Sequence, residues 1–68
     1  MNVTLNGERR DLSDGAGVRE ALAATGAAPD ARGLAVAVDG EVVPRGDWDR
    51  LELREGQRVE IVQAVQGG

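Results

Sequence analysis

Two stretches of the chain set alternating flanks around a two-residue break, apolar and polar in VTL, large and small apolar in LAVAV. VTLNGERR carries Asn6-Gly7 between such flanks, and LAVAVDGEVV carries Asp39-Gly40. A period of two marks a half-buried strand, and both dipeptides accept the positive φ angles of a type I′ turn. The pattern therefore predicts two hairpins, with strands over about 1–5 and 8–12 and over about 34–38 and 41–44. Between them GVREALAATG changes period. Val18, Ala21, Leu22 and Thr25 fall at i, i+3, i+4 and i+7, one stripe of a helix. Gly17 is placed as N-cap with Glu20 at N3, and Gly26 follows the C-cap, giving a helix of about nine residues. So short a helix depends on packing, because isolated short helices are unstable in water.

The rest of the chain is less regular. Pro44 and Gly46 interrupt the pattern, and DWDRLEL is expected to hold a helical turn, then a short extended piece with Leu51 and Leu53 inward. REGQ turns the chain and RVEIVQAV forms the last strand. Val59 and Ile61 alternate, but Val62 and Val65 fall out of phase, so both faces need cover and a central strand or a bulge is expected. Hairpin, helix, hairpin, turn and last strand is the order of an α+β fold of the β-grasp (ubiquitin-like) type. Its mixed four- or five-stranded sheet packs one main helix on one face. The expected division is a β-grasp domain over 1–64 and an extended Gly-Gly tail over 65–68.

Composition narrows the function more than the fold. A chain of 68 residues allows one domain with one small core. It contains no Cys and no His, which removes disulfides, zinc sites and thiol chemistry, and fits a reducing cytoplasm. With 12 acidic residues against 8 basic ones, and no interleaved aromatics, it is poorly suited to grip nucleic acid. All the basic residues are Arg, so Schiff-base chemistry is also absent. No apolar run is long enough to span a membrane, and the start lacks a signal-peptide pattern. The expected chain is cytoplasmic and monomeric when free, without nucleic-acid or membrane partners.

An enzyme reading finds little to work with. Without His, Cys, Lys or Tyr, acid–base chemistry would fall to Asp and Glu. Asp47 and Asp49 in DWD read as a solvated acidic turn. Ser13 has no base to activate it, and the glycines match no phosphate-binding loop. Trp48 is either a partner anchor or a plug closing one end of the core, and in a chain with no other aromatic the plug is the expected role. The tail remains. Gly67-Gly68 reads plainly as a flexible end, yet with 10 glycines in 68 residues such a pair ends a chain by chance roughly one time in fifty. Following directly on a β-grasp strand, it becomes the candidate reactive group. Gly67 lacks a Cβ and can thread a narrow channel. Gly68 supplies a carboxylate that is anionic and unreactive until a partner activates it.

The motifs TLNGERRDL, VAVDGEVVPRGDW and LREGQRVEIVQAVQGG resemble the ThiS family, the sulfur carrier proteins of thiamin biosynthesis. The likeness covers nearly the whole chain, and VEIVQAVQGG is its most specific part. It implies the β-grasp fold already expected from the element order. It also implies that a ThiF-like adenylyltransferase adenylates the Gly68 carboxylate with ATP and Mg. A persulfide sulfur donor then leaves a thiocarboxylate, and a ThiG-like thiazole synthase accepts the sulfur. On this reading the chain is a carrier, not an enzyme, and binds no cofactor of its own. Val65 and Gln66 carry over as the tail segment that enters partner sites, ahead of Gly67 and Gly68. The phase break at Val62 and Val65 marks them as the first candidates for a docking patch.

Other readings share the tail. The molybdopterin synthase small subunit has the same fold and ending, but resembles a longer chain with a Pro-containing segment before the glycines, which IVQAVQGG lacks. Carriers for cysteine or thio-natural-product synthesis would use identical tail chemistry. A protein modifier joined to target lysines, and a passive β-grasp interaction module, complete the alternatives.

Overall fold

Both dipeptides turn the chain as the alternation predicts. Asn6 and Asp39 have φ of 49° and 51°, and Gly7 and Gly40 follow at 84° and 85°. Gly reaches these angles freely, and Asn and Asp are the L-residues that reach them most readily. The computed structural model describes residues 1–26 and 33–63. The first turn joins β1 (Asn2–Leu5) to β2 (Glu8–Asp11), and the second joins β3 (Leu34–Val38) to β4 (Glu41–Val43). The last strand, β5 (Arg58–Gln63), inserts between the hairpins, parallel to β1 and antiparallel to β3. The sheet order is β2-β1-β5-β3-β4, so Val62, where the alternation first breaks, lies on a central strand.

The helix α1 spans Val18–Ala24, seven residues rather than the nine expected. Its ends match the sequence signals. Glu20 Oε2 accepts the Gly17 N–H at 2.8 Å, and Gly26 at φ 83° takes the chain away. Thr25 is the C-cap, its N–H donating to Ala21 O at 3.2 Å and its hydroxyl to Leu22 O at 2.7 Å, and the positive φ of Gly26 stops the helix there. Val18, Ala21 and Leu22 are buried against Val3 and Leu5 of β1, Val36 and Val38 of β3 and Val59 of β5. Among the described residues no helix is long and apolar enough to cross a membrane.

A 3-10 turn over Arg45–Asp47 delivers Trp48 into one end of this core, where it is 2% exposed. Its indole N–H donates to Val43 O at 3.0 Å, and the guanidiniums of Arg19 and Arg45 lie 5.5 and 5.0 Å from the ring centre. Burial with the N–H satisfied and cations over the ring is the plug arrangement. Leu53 is also buried, but Leu51 is 36% exposed, contrary to the expectation that both turn inward. The reason is local. Leu51 still belongs to the turn, its N–H donating to Asp47 O at 3.1 Å, and the extended piece begins only at Glu52. There Leu53 N–H donates to Ala16 O at 2.9 Å, tying the segment to the start of α1.

That tie leaves no room at Gly17, where an added Cβ would lie 2.8 Å from Leu51 O. Gly17→Ala should therefore destabilise the fold by about 1–3 kcal/mol, the usual cost of overpacking. Gly46→Ala, with nothing within 4 Å of the new Cβ, should stay within about 0.5 kcal/mol of the native chain. Urea denaturation of both variants checks the contrast; equal midpoints would refute the close approach.

Candidate functional site

In sequence, the candidate tail follows β5. Along this strand, Val59 is buried and Ile61 half-buried toward α1, while Arg58, Glu60 and Val62 are exposed on the opposite face. Residues paired across strands share a face, so the register identifies what surrounds them. Val62 lies opposite Ala35, Glu60 opposite Ala37, and Ala37 in turn opposite Val42. On the other side Arg58 pairs with Thr4, and Thr4 with Arg9. The open face thus divides into an apolar half over β3, β4 and the end of β5, and a charged half over β1, β2 and the start of β5. Val62 is 60% exposed and Val42 75%, among the most exposed large apolar side chains described.

Val62 is therefore where the phase break placed it, out of the core and next to the segment that leads to the tail. Val65, Gln66, Gly67 and Gly68 lie outside the described residues, as does the expected boundary between 64 and 65. The Asp47 and Asp49 pair does not form an acidic site: both residues are exposed, and Asp49 Oδ1 accepts from Arg19 Nε at 2.9 Å.

Two features escaped the sequence reading. One is the extension of the apolar patch to Ala35, Ala37 and Val42. Its signal is the run LAVAV, which is apolar on both faces and so cannot be covered by α1 alone. The other is that the turn residues also hold β5. Asp39 sits at its start, where Oδ1 accepts the Arg58 N–H at 2.9 Å and the Asp39 N–H donates to Arg58 O at 2.8 Å. Asn6 sits near its end, where Oδ1 accepts the Ile61 N–H at 2.8 Å and Nδ2 donates to Ile61 O at 3.2 Å. A turn residue with a hydrogen-bonding side chain was visible in sequence at both positions; its partner, more than fifty positions along the chain for Asn6, was not.

Known proteins agree with this geometry. A family model described as the ThiS family matches residues 3–68. The crystal structure of the thiamine biosynthesis protein ThiS from Geobacter metallireducens superposes with a TM-score of 0.76 at 35% identity, covering all of both chains. A solution structure of a thiamine biosynthesis protein from the same organism gives 0.77 at 33% identity, covering all of this chain and 88% of that one. A thiazole synthase from Paramagnetospirillum magneticum is 32% identical over all 68 residues. The chain spans only 20% of that protein's length.

The exposure of Val62 has a direct consequence for stability. Val62→Asp should lower the unfolding free energy from urea denaturation by no more than about 1 kcal/mol, the span of strand propensity. A loss of several kcal/mol would mean that the open face contributes to packing and is not free for a partner.

Proposed function

Because the chain belongs to the ThiS family, we propose that it is the sulfur carrier of thiamin thiazole synthesis, with the Gly68 carboxylate as its reactive group. The observation that carries this reading is the reach of the family match, which runs to residue 68 and takes in the glycine pair that follows β5.

The chemistry follows from what a carboxylate lacks. With an ordinary pKa of about 3.3–3.7 it is anionic at neutral pH and resists nucleophiles. A ThiF-like adenylyltransferase holding Mg-ATP supplies activation. A Gly68 carboxylate oxygen bonds to the α-phosphorus, the bond to pyrophosphate breaks, and an acyl-adenylate results. The terminal sulfur of a persulfide donor attacks the acyl carbon and expels AMP, leaving an acyl disulfide. A second thiol reduces that disulfide, pairing with the donor sulfur and releasing the thiocarboxylate. A ThiG-like thiazole synthase then takes the sulfur, and oxygen from the acceptor or from water restores the carboxylate.

The chain contributes presentation, not catalysis. Gly67 gives clearance in a narrow channel. Val65 and Gln66 enter the partner site with it, and Val62 heads an apolar docking face. ATP and Mg belong to the partner, and the carrier needs no cofactor of its own. The likeness of the whole chain to one fifth of a thiazole synthase supports a ThiG-like partner, since two modules joined in one chain meet at high effective concentration. ATP-dependent activation fits a monomeric carrier in the cytoplasm.

Incubation with a ThiF-like adenylyltransferase, Mg-ATP and a protein persulfide should shift the intact mass by one oxygen replaced with sulfur. A heavier protein conjugate would indicate a modifier, and an unchanged mass would reject the carrier reading. One residue added after Gly68 should abolish the shift. Val62→Asp should weaken binding to the adenylyltransferase roughly tenfold, about 1.4 kcal/mol, with unchanged affinity counting against the docking face.

A further inference from the structure

The asymmetry between the two strand clamps points to a role for Asn6 beyond its turn. On the β3 side, β5 is paired continuously to its last described residue, with Leu34 opposite Gln63. On the β1 side, strand pairing stops at Leu5 and Val59, and the Asn6 N–H makes one further backbone bond, to Val59 O at 2.9 Å. Beyond Val59 the chain of β1 has turned away into Gly7. The Asn6 carboxamide replaces the missing strand. It satisfies both the N–H and the C=O of Ile61, carrying the attachment on this flank two residues farther.

The residue type matters. Ile61 offers a donor and an acceptor side by side, and a carboxamide complements both, whereas a carboxylate could only accept. At the start of β5 the requirement differs: the Asp39 backbone N–H already serves Arg58 O, so its side chain needs only to accept. Asparagine at the first turn and aspartate at the second match these two demands.

We propose that Asn6 is a positioning residue for the C-terminal tail. Its carboxamide holds the end of β5 on the β1 flank, and in the carrier reading that strand is the base from which Gly68 is presented to the activating partner. The proposal rests on the carrier reading, in which the carboxylate must meet an α-phosphorus at bonding distance. Small misplacements of reacting groups cost rate steeply. A docked body with a poorly aimed tail would still bind but turn over slowly.

The test compares Asn6→Gly and Asn6→Asp with Asp39→Gly. Both Gly variants keep a residue suited to positive φ and each removes one clamp, so Asp39→Gly controls for the general loss of strand attachment. ATP–pyrophosphate exchange with a ThiF-like adenylyltransferase should show kcat lowered on the order of tenfold for both Asn6 variants, with the KM for the carrier unchanged. Asp39→Gly should keep the native kcat. A native kcat in the Asn6 variants, or an equal fall in Asp39→Gly, would overturn the proposal. Amide hydrogen exchange provides an arm independent of any partner. In Asn6→Gly the Ile61 N–H should lose protection at least about tenfold while Glu60, bonded on the β3 side, keeps it. Unchanged protection at Ile61 would overturn the proposal even if the native chain gave no pyrophosphate exchange. That last result would reject the carrier reading separately. Should a variant fail to fold, the native chain still decides: Ile61 exchanging as fast as an unbonded amide would show that no clamp exists.

Discussion

Strand β5 enters the middle of the sheet without a hairpin of its own, and the fold depends on how it is held there. Its two neighbours are each the first strand of a hairpin, one running parallel to it and the other antiparallel. That difference in direction puts the two hairpin turns at opposite ends of β5. Asp39 therefore meets Arg58 at the beginning and Asn6 meets Ile61 near the finish. The residues that allow the chain to reverse are also the residues that fasten the strand between the reversals. In Asn6, local turn chemistry and a hydrogen bond fifty-five positions along the chain share one side chain.

This sharing explains which parts of the structure were legible in sequence. The hairpins, the helix and its caps were readable because each depends on residues within a few positions: Asn6-Gly7, Asp39-Gly40, Glu20 three residues after Gly17. The β-grasp order followed from them. Leu51 was misplaced because the boundary between a turn and an extended piece is set by one backbone bond, to Asp47 O, that no side-chain pattern announces. The clamp on Ile61 was hidden for a different reason, since it joins residues fifty-five positions apart through an exposed amide that leaves no hydrophobic trace. At the site itself, Val62 betrayed its place by falling out of phase. Ala35 and Ala37 did not, because small apolar residues read equally well as core or surface.

The domain spends its two sheet faces differently. One face closes with α1 over a core of aliphatic side chains, and Trp48 and Leu53 seal it. The other keeps an apolar half unspent beside a charged half. A chain so short has little core to give away, and in the proposed function a partner on the open face is engaged without disturbing packing. The reactive group in the proposed function needs no side chain at all, which accords with a composition poor in catalytic residue types.

Trp48 has a spectroscopic consequence. As the sole aromatic residue, it is the only strong near-ultraviolet fluorophore in the chain. Buried in the core with two guanidiniums near its ring, it samples the helix side of the sheet. Its emission thus reports core integrity at a single point, without contributions to deconvolute from other rings. The open face reaches the ring through one bond, from the indole N–H to Val43 O beside Val42. A partner seated on Val42 would be reported through that bond, while one confined to Val62 has no such link.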